Sequence, residues 1–143
     1  MKFRILLVED SLEDIVLTKL AFSKSNVPAE IDVVNDGEEC LSFLRKEEPF
    51  TDAKVPDLIL LDLNMPKLNG KQVLEVIKTD PELKHIPTVV LSTSKHKVDV
   101  EESYERFANS YLAKPIDFNE FLDLVKEIET FWLKIVKLPN STE

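Results

Sequence analysis

A chain of 143 residues that is 43% hydrophobic and 31% charged is an ordinary globular domain, able to bury roughly two-thirds of the surface its unfolded form exposes. Its net charge of −9 excludes unassisted nucleic-acid binding, which needs clustered Lys and Arg, and no apolar run approaches the ~20 residues of a membrane span. The single cysteine, Cys40, excludes an internal disulfide or a multi-cysteine zinc site, and two glycines, Gly37 and Gly70, cannot build a GxxxxGK[ST] or GxGxxG phosphate loop.

Met1-Lys2-Phe3-Arg4 enters an apolar run at once, without a signal-peptide pattern. One cytoplasmic domain is therefore expected over residues 1–143, with its core in 3–136 and a frayed tail at 137–143. Ile5-Leu6-Leu7-Val8 reads as a first strand, ending in Glu9-Asp10. Ser11, with Asp14 three residues on, resembles a capping box opening a helix whose core stripe is Leu12, Val16 and Leu20. Residues 30–34 form a shorter, more polar strand that suits a sheet edge. Asp36 with Glu39 opens a second helix, in which Cys40 reads as a small buried apolar residue. Residues 47–56 make a longer loop.

Leu58-Ile59-Leu60-Leu61 is a continuously apolar third strand ending in Asp62. Val73 and Ile77 stripe a third helix. Val89-Val90-Leu91 forms a fourth strand leading into Ser92-Thr93, and Val100, Tyr104 and Phe107 stripe a fourth helix. Tyr111-Leu112-Ala113 is the fifth strand and runs into Lys114-Pro115, after which Asp117 and Glu120 cap a last helix. His85 and His96 are badly spaced for an HExxH site and read as loop or surface residues. Continuous apolar strands alternating with helices imply an α/β fold: a doubly wound, five-stranded parallel sheet with right-handed crossovers and helices on both faces.

Ligands of such sheets bind beyond the carboxyl ends of the strands. Glu9, Asp10, Asp62, Ser92, Thr93 and Lys114 all fall there. Carboxylates a few ångströms apart repel by about 3 kcal/mol per pair at an effective dielectric near 20, so they share protons, recruit a cation or are held apart. An all-oxygen donor set without His or Cys points to Mg2+. With Lys114 and Ser92 opposite, the parts suit a phosphoryl group, whose oxygens need a metal, an ammonium and a hydroxyl. Asp62, central in the set, is the natural nucleophile.

The motifs Ile5-Leu-Leu-Val-Glu-Asp10, Leu60-Leu-Asp-Leu-Asn-Met-Pro66, Asn69-Gly70, Val90-Leu-Ser-Thr93 and Tyr111-Leu-Ala-Lys-Pro115 resemble, in order and spacing, the receiver domain of two-component response regulators over residues 3–135. The resemblance implies a flavodoxin-like sheet of order 2-1-3-4-5 and phosphorylation of Asp62. It implies Mg2+ held by Asp10 and Asp62, by Glu9 through water and by the carbonyl of Asn64. Ser92 would be the switch hydroxyl, with Thr93 beside it at the site's entrance. Lys114 would be the phosphoryl-contacting ammonium, placed by a cis bond to Pro115. Tyr111 would be the aromatic that reorients, and Pro66 and Gly70 would shape the loop after Asp62.

Phe131-Trp132-Leu133 with Leu138-Pro139, and Leu91-Ser-Thr-Ser94, are similar to the single-domain regulators that partner cyanobacterial phytochromes. A sensor histidine kinase of phytochrome type is the implied partner. In the last helix, Phe121, Val125, Ile128 and Trp132 suffice to cover the sheet, while Leu124, Phe131 and Ile135 lie partly round the side. So wide a stripe implies a homodimer through this helix and the neighbouring strand. A rival reading, a phosphohydrolase of haloacid dehalogenase type, needs a DxD acid pair, and Asn64 stands at its second position. A second rival, an interaction module that is never phosphorylated, is opposed by the intact Asp62, Ser92 and Lys114.

Overall fold

The computed structural model describes residues 3–25, 28–63, 70–92 and 110–130. In chain order the elements are β1 (Phe3–Val8), α1 (Leu12–Ser23), β2 (Ala29–Val34), α2 (Gly37–Leu44), β3 (Leu58–Asp62), α3 (Gly70–Thr79), β4 (Thr88–Ser92), β5 (Ser110–Ala113) and α4 (Phe118–Ile128). All the strands pair in parallel, in the order β2-β1-β3-β4-β5. This is the doubly wound sheet the alternation implies, with the polar residues 30–34 on an edge strand.

Successive strand residues point to opposite faces, so each apolar run supplies two cores. Ile5, Leu7, Leu58, Leu60, Val89 and Leu91 meet Ile15 and Phe22 of α1 and Phe121, Val125 and Ile128 of α4. Leu6, Val8, Ile59, Leu61 and Val90 meet Cys40 and Phe43 of α2 and Val73, Leu74 and Ile77 of α3. Among the described residues, one helix pair packs on each face. Each fully buried Leu or Ile contributes about 1.5–3 kcal/mol, which makes continuous apolar strands the strongest single determinant of this fold.

The three capping residues begin their helices as expected. The side chains of Ser11, Asp36 and Asp117 accept from the backbone N–H groups of Asp14, Glu39 and Glu120. The reciprocal half differs from the motif: Glu39 and Glu120 reach back to the N–H groups of Asn35 and Ile116, one residue before each cap. Asp14 does not reach back at all.

Two expected faces are corrected. Leu12, Val16 and Leu20 are 75%, 54% and 44% exposed, and α1 turns Ile15, Thr18, Ala21 and Phe22 inward instead. Thr18 looks too polar for a core stripe, but its hydroxyl donates to the Asp14 carbonyl at 2.7 Å, so its polar atom is satisfied within the helix. In α4, Leu124 is buried among the core residues rather than turned to the side. The expected helical stripe of Val100, Tyr104 and Phe107 lies outside the described residues, as do His96, Phe131, Trp132 and Ile135. No helix among the described residues is long and apolar enough to cross a membrane.

Candidate functional site

Strand phase decides which side chains can meet. Leu58 and Leu60 face α1 and α4, so Asp62, two residues on, points to the same side. Ile5 and Leu7 put Glu9 on that side too, and the β1–β2 ladder still holds Glu9, whose N–H donates to the Val34 carbonyl at 3.0 Å. Leu112 packs against the same core, which gives Lys114 the same phase. Asp10 falls out of phase and is exposed.

The ammonium of Lys114 is the hub. Its Nζ lies 2.9 Å from Glu9 Oε1, 3.0 Å from Asp14 Oδ2 and 3.2 Å from Asp62 Oδ2. Lys114 follows β5, whereas Asp62 ends β3, with β4 between them. Two strand spacings of about 4.8 Å separate their backbones, a span only a long, flexible side chain covers. Lys114 thereby crosses the end of β4, where Ser92 stands opposite Ala113 in the register.

Burial makes these contacts strong. Glu9 and Asp62 are each 2% exposed. The second oxygen of Glu9, Oε2, accepts from the N–H groups of Asp10 and Ser11, both at 3.1 Å. Even so, burial together with the charge of Asp62 raises the Glu9 carboxyl from 4.5 to about 7, against the opposing pull of Lys114 and the Ser11 N–H. Burial also pulls the Lys114 ammonium down, but the hydrogen bonds of Glu9 and Asp14 and the charges of Asp62 and Glu9 outweigh it and hold the pKa above the ordinary lysine value. Lys114 is therefore charged at any ordinary pH.

Glu9, Asp10 and Asp62 each offer a carboxylate oxygen, and these oxygens lie within 4.8 Å of one another. Such an all-oxygen set, partly open to solvent through Asp10, fits a hard divalent cation of the Mg2+ class. Asn64, the further ligand implied by the resemblance, lies outside the described residues.

The backbone beyond Asp62 is held closely. The Leu63 N–H donates to the Leu91 carbonyl at 3.0 Å, and the Gly70 N–H to the Leu63 carbonyl at 3.3 Å. A Cβ on Gly70 would lie 2.6 Å from Leu63 Cα and 2.7 Å from the Asp62 carbonyl oxygen. Glycine is needed here for close approach.

Of the remaining expected residues, Ser92 closes β4 and Tyr111 pairs with Val90 in β5; their side chains lie outside the described part. Thr93 and Pro66 lie outside it as well. Pro115 is buried directly after Lys114. The cis bond expected before it is not found: among the described residues the cis peptide bond is Glu48–Pro49. The trans isomer is lower in energy by about 0.5–1 kcal/mol for X–Pro, and Lys114 reaches its three acids from it. Asp14 was missed as a site residue, because its place three after Ser11 assigns it to a cap. The available signal was that the Ser11 cap uses the backbone of Asp14 and leaves its carboxylate free to turn towards the rim.

A doubly wound parallel sheet that gathers three carboxylates able to hold a cation, and a lysine, at the carboxyl ends of its strands defines an α/β domain with one acidic rim. Residues 5–126 match the family model for the response regulator receiver domain, and the chain belongs to that family, whose members act in two-component signalling. It is 43% identical over 137 residues to the response regulator Rcp1 of Synechocystis sp., covering 96% of this chain and 93% of that protein. Its fold is similar to the crystal structure of the phosphorylated cyanobacterial phytochrome response regulator RcpA, with TM-score 0.92 and 46% identity over 97% of this chain and 99% of that one. It is also similar to the crystal structure of the Mn2+-bound form of Rcp1, with TM-score 0.88 and 42% identity over 96% and 99% of the two chains.

Proposed function

We propose that Asp62 is the phosphoryl acceptor, and that the chain, as a single receiver domain over residues 1–143, passes this modification on as a change of shape. The observation that carries the reading is a buried carboxylate at the end of the central strand, 3.2 Å from an ammonium and inside an acid cluster whose oxygens are close enough together to hold a cation. An oxygen of Asp62 attacks phosphorus of an acyl phosphate or a phosphohistidine. The P–O or P–N bond to the donor breaks and the leaving group departs with that electron pair. Attack by water on phosphorus later releases inorganic phosphate and restores the carboxylate. Lys114 meets the negative charge on the transferring oxygens. A cation of the Mg2+ class, held by Glu9, Asp10 and Asp62 with Asn64, would neutralise further charge there when bound. Ser92 supplies the hydroxyl that closes on the phosphoryl group, Tyr111 follows it, and Thr93 narrows access. Pro66, Gly70 and Pro115 hold the flanking loops.

Turning a 1:99 population of active shapes into 99:1 takes about 5.5 kcal/mol of differential interaction. Charge-assisted hydrogen bonds from Lys114 and Ser92 to a phosphoryl group are of the right size to provide much of it.

The donor is a sensor histidine kinase of phytochrome type, a reading supported by the likeness to Rcp1 and RcpA. Exposed Leu12, Val16 and Ile116 flank Asp14 and Lys114 in sequence and suit a protein donor better than a small molecule. A homodimer through α4 and β5 is supported by the place of β5 at the edge of the described sheet and by the partly exposed Leu112, Phe118 and Leu122. Sedimentation at high concentration tests it, and monomer alone with and without phosphodonor overturns it. The protein works in the cytoplasm, a reading supported by its membership of the receiver-domain family.

Incubation with acetyl phosphate and Mg2+, followed by intact-mass measurement, tests the acceptor. Wild type gains one phosphoryl group and Asp62→Asn gains none. Wild type that stays unmodified where a control receiver is labelled removes the reading.

A further inference from the structure

An ammonium has three N–H donors, and in Lys114 all three are matched by carboxylates: Glu9, Asp14 and Asp62. Two of these acids have a second use. Glu9 and Asp62 belong to the set of oxygens that can hold a cation, and Asp62 is the proposed phosphoryl acceptor. Asp14 is outside that set. Once a cation and a phosphoryl group engage Glu9 and Asp62, Asp14 alone remains dedicated to Lys114.

Asp14 is also firmly mounted. It sits in the first turn of α1, where its N–H donates to Ser11 Oγ at 3.3 Å and its carbonyl accepts from Thr18 Oγ1 at 2.7 Å. α1 in turn packs directly against α4, the helix that follows Lys114. A carboxylate fixed to a helix thus holds the end of a side chain with four rotatable methylene links, and such preorganisation is what charge stabilisation in a transition state requires.

We propose that Asp14 is a positioning residue that anchors the Lys114 ammonium over Asp62 during phosphoryl transfer. The proposal rests on Asp62 being the acceptor. It assigns Asp14 no contact with the phosphodonor; its effect runs entirely through Lys114.

The experiment compares single-turnover phosphorylation by acetyl phosphate at saturating Mg2+ in wild type, Asp14→Asn, Lys114→Ala and the double variant, each checked for an intact unfolding transition. Asp14→Asn keeps the cap, because the cap uses only the backbone of that residue. Asp14→Asn slows phosphorylation about five- to tenfold, and Asp14→Glu recovers at least half of the loss. In the Lys114→Ala background Asp14→Asn slows nothing further, since the two act as one unit. A second readout needs no turnover. In 15N-lysine NMR of the beryllofluoride-loaded protein, the Lys114 ammonium signal is protected from exchange in wild type and lost in Asp14→Asn. An unchanged rate in Asp14→Asn, or an equal slowing with and without Lys114, overturns the proposal while leaving Asp62 as acceptor. Wild type that takes no phosphoryl group overturns both.

Discussion

Lys114→Met keeps most of the side-chain stem and removes the ammonium, which strips Glu9 and Asp62 of their shared counter-charge. Both acids are 2% exposed, and removing one partner of a buried ion pair costs about 3–5 kcal/mol. Asp14, whose side chain is 24% exposed, adds little because water screens it. Near pH 8, without divalent cation, the expected loss is about 3 kcal/mol out of the ordinary 5–15 kcal/mol of a small domain. For a chain of this length that lowers Tm by about 10 °C.

The sign of the pH dependence follows from Glu9. Its carboxyl titrates at about 7 in the folded protein against 4.5 ordinarily. A raised carboxylate favours the folded state below its unfolded pKa, and that contribution is lost as the pH rises from 4.5 through about 7. Near pH 5 Glu9 is neutral in wild type and variant alike, so it no longer needs the ammonium and the deficit shrinks to about 1–2 kcal/mol. Saturating Mg2+ near pH 8 restores stability as well, because a cation replaces the missing charge. Urea unfolding under the three conditions measures this. A deficit below about 1 kcal/mol near pH 8, or the same deficit near pH 5, refutes the claim that Lys114 neutralises buried charge.

Gly70→Ala places a Cβ against the backbone of Asp62 and Leu63, and urea unfolding should find it destabilised by about 1–3 kcal/mol, with slower labelling by acetyl phosphate. The two faces of α1 separate cleanly: Ile15→Ala costs about 2–4 kcal/mol, whereas Val16→Asp stays within about 0.5 kcal/mol and impairs only transfer from a protein donor. Binding of Mg2+ or Mn2+ should be about tenfold weaker near pH 6 than near pH 8, because Glu9 must release its proton first; calorimetry showing equal affinities would contradict this. Asp10→Asn, at an exposed position that touches no part of the core, weakens metal binding by at least tenfold and leaves the metal-free Tm unchanged or raised.

Five strands, their parallel pairing and four described helices follow from features that survive in one dimension, whereas the order β2-β1-β3-β4-β5 was implied by the family resemblance. A continuous apolar run such as Leu58–Leu61 is legible because both of its faces are buried, so no residue breaks the pattern. The face of α1 was not legible, because two stripes compete on that helix. Leu12, Val16 and Leu20 are the more apolar by composition, yet Thr18 and Ala21 fill the inward one. What decides between them is a hydroxyl bond inside the helix and the packing of Ile15 and Phe22, neither of which hydropathy registers. Leu124 shows the same limit, since a helix wedged between a sheet and α1 buries more of its circumference than the sheet alone requires.

For the site, the residues at the strand ends were readable and the clasp among them was not. Glu9, Asp62 and Lys114 each stand an even number of residues after a side chain that faces α1, so their convergence is a matter of strand phase. A single-residue insertion anywhere in Leu58–Leu61 would turn Asp62 towards α2 and α3, 180° from its lysine, while leaving composition and apolar content almost unchanged. Asp14 obeys a different period. It belongs to a helix, and it meets Lys114 only because three residues separate Val8 from the start of α1 and its first turn rises beside the ends of β1 and β3. Strand phase and helix phase must therefore agree at one ammonium. That agreement is a property of the β1–α1 turn, Glu9-Asp10-Ser11, which Glu9 Oε2 ties to both following N–H groups. Glu9 thus sets the turn that aims Asp14 as well as holding the lysine itself.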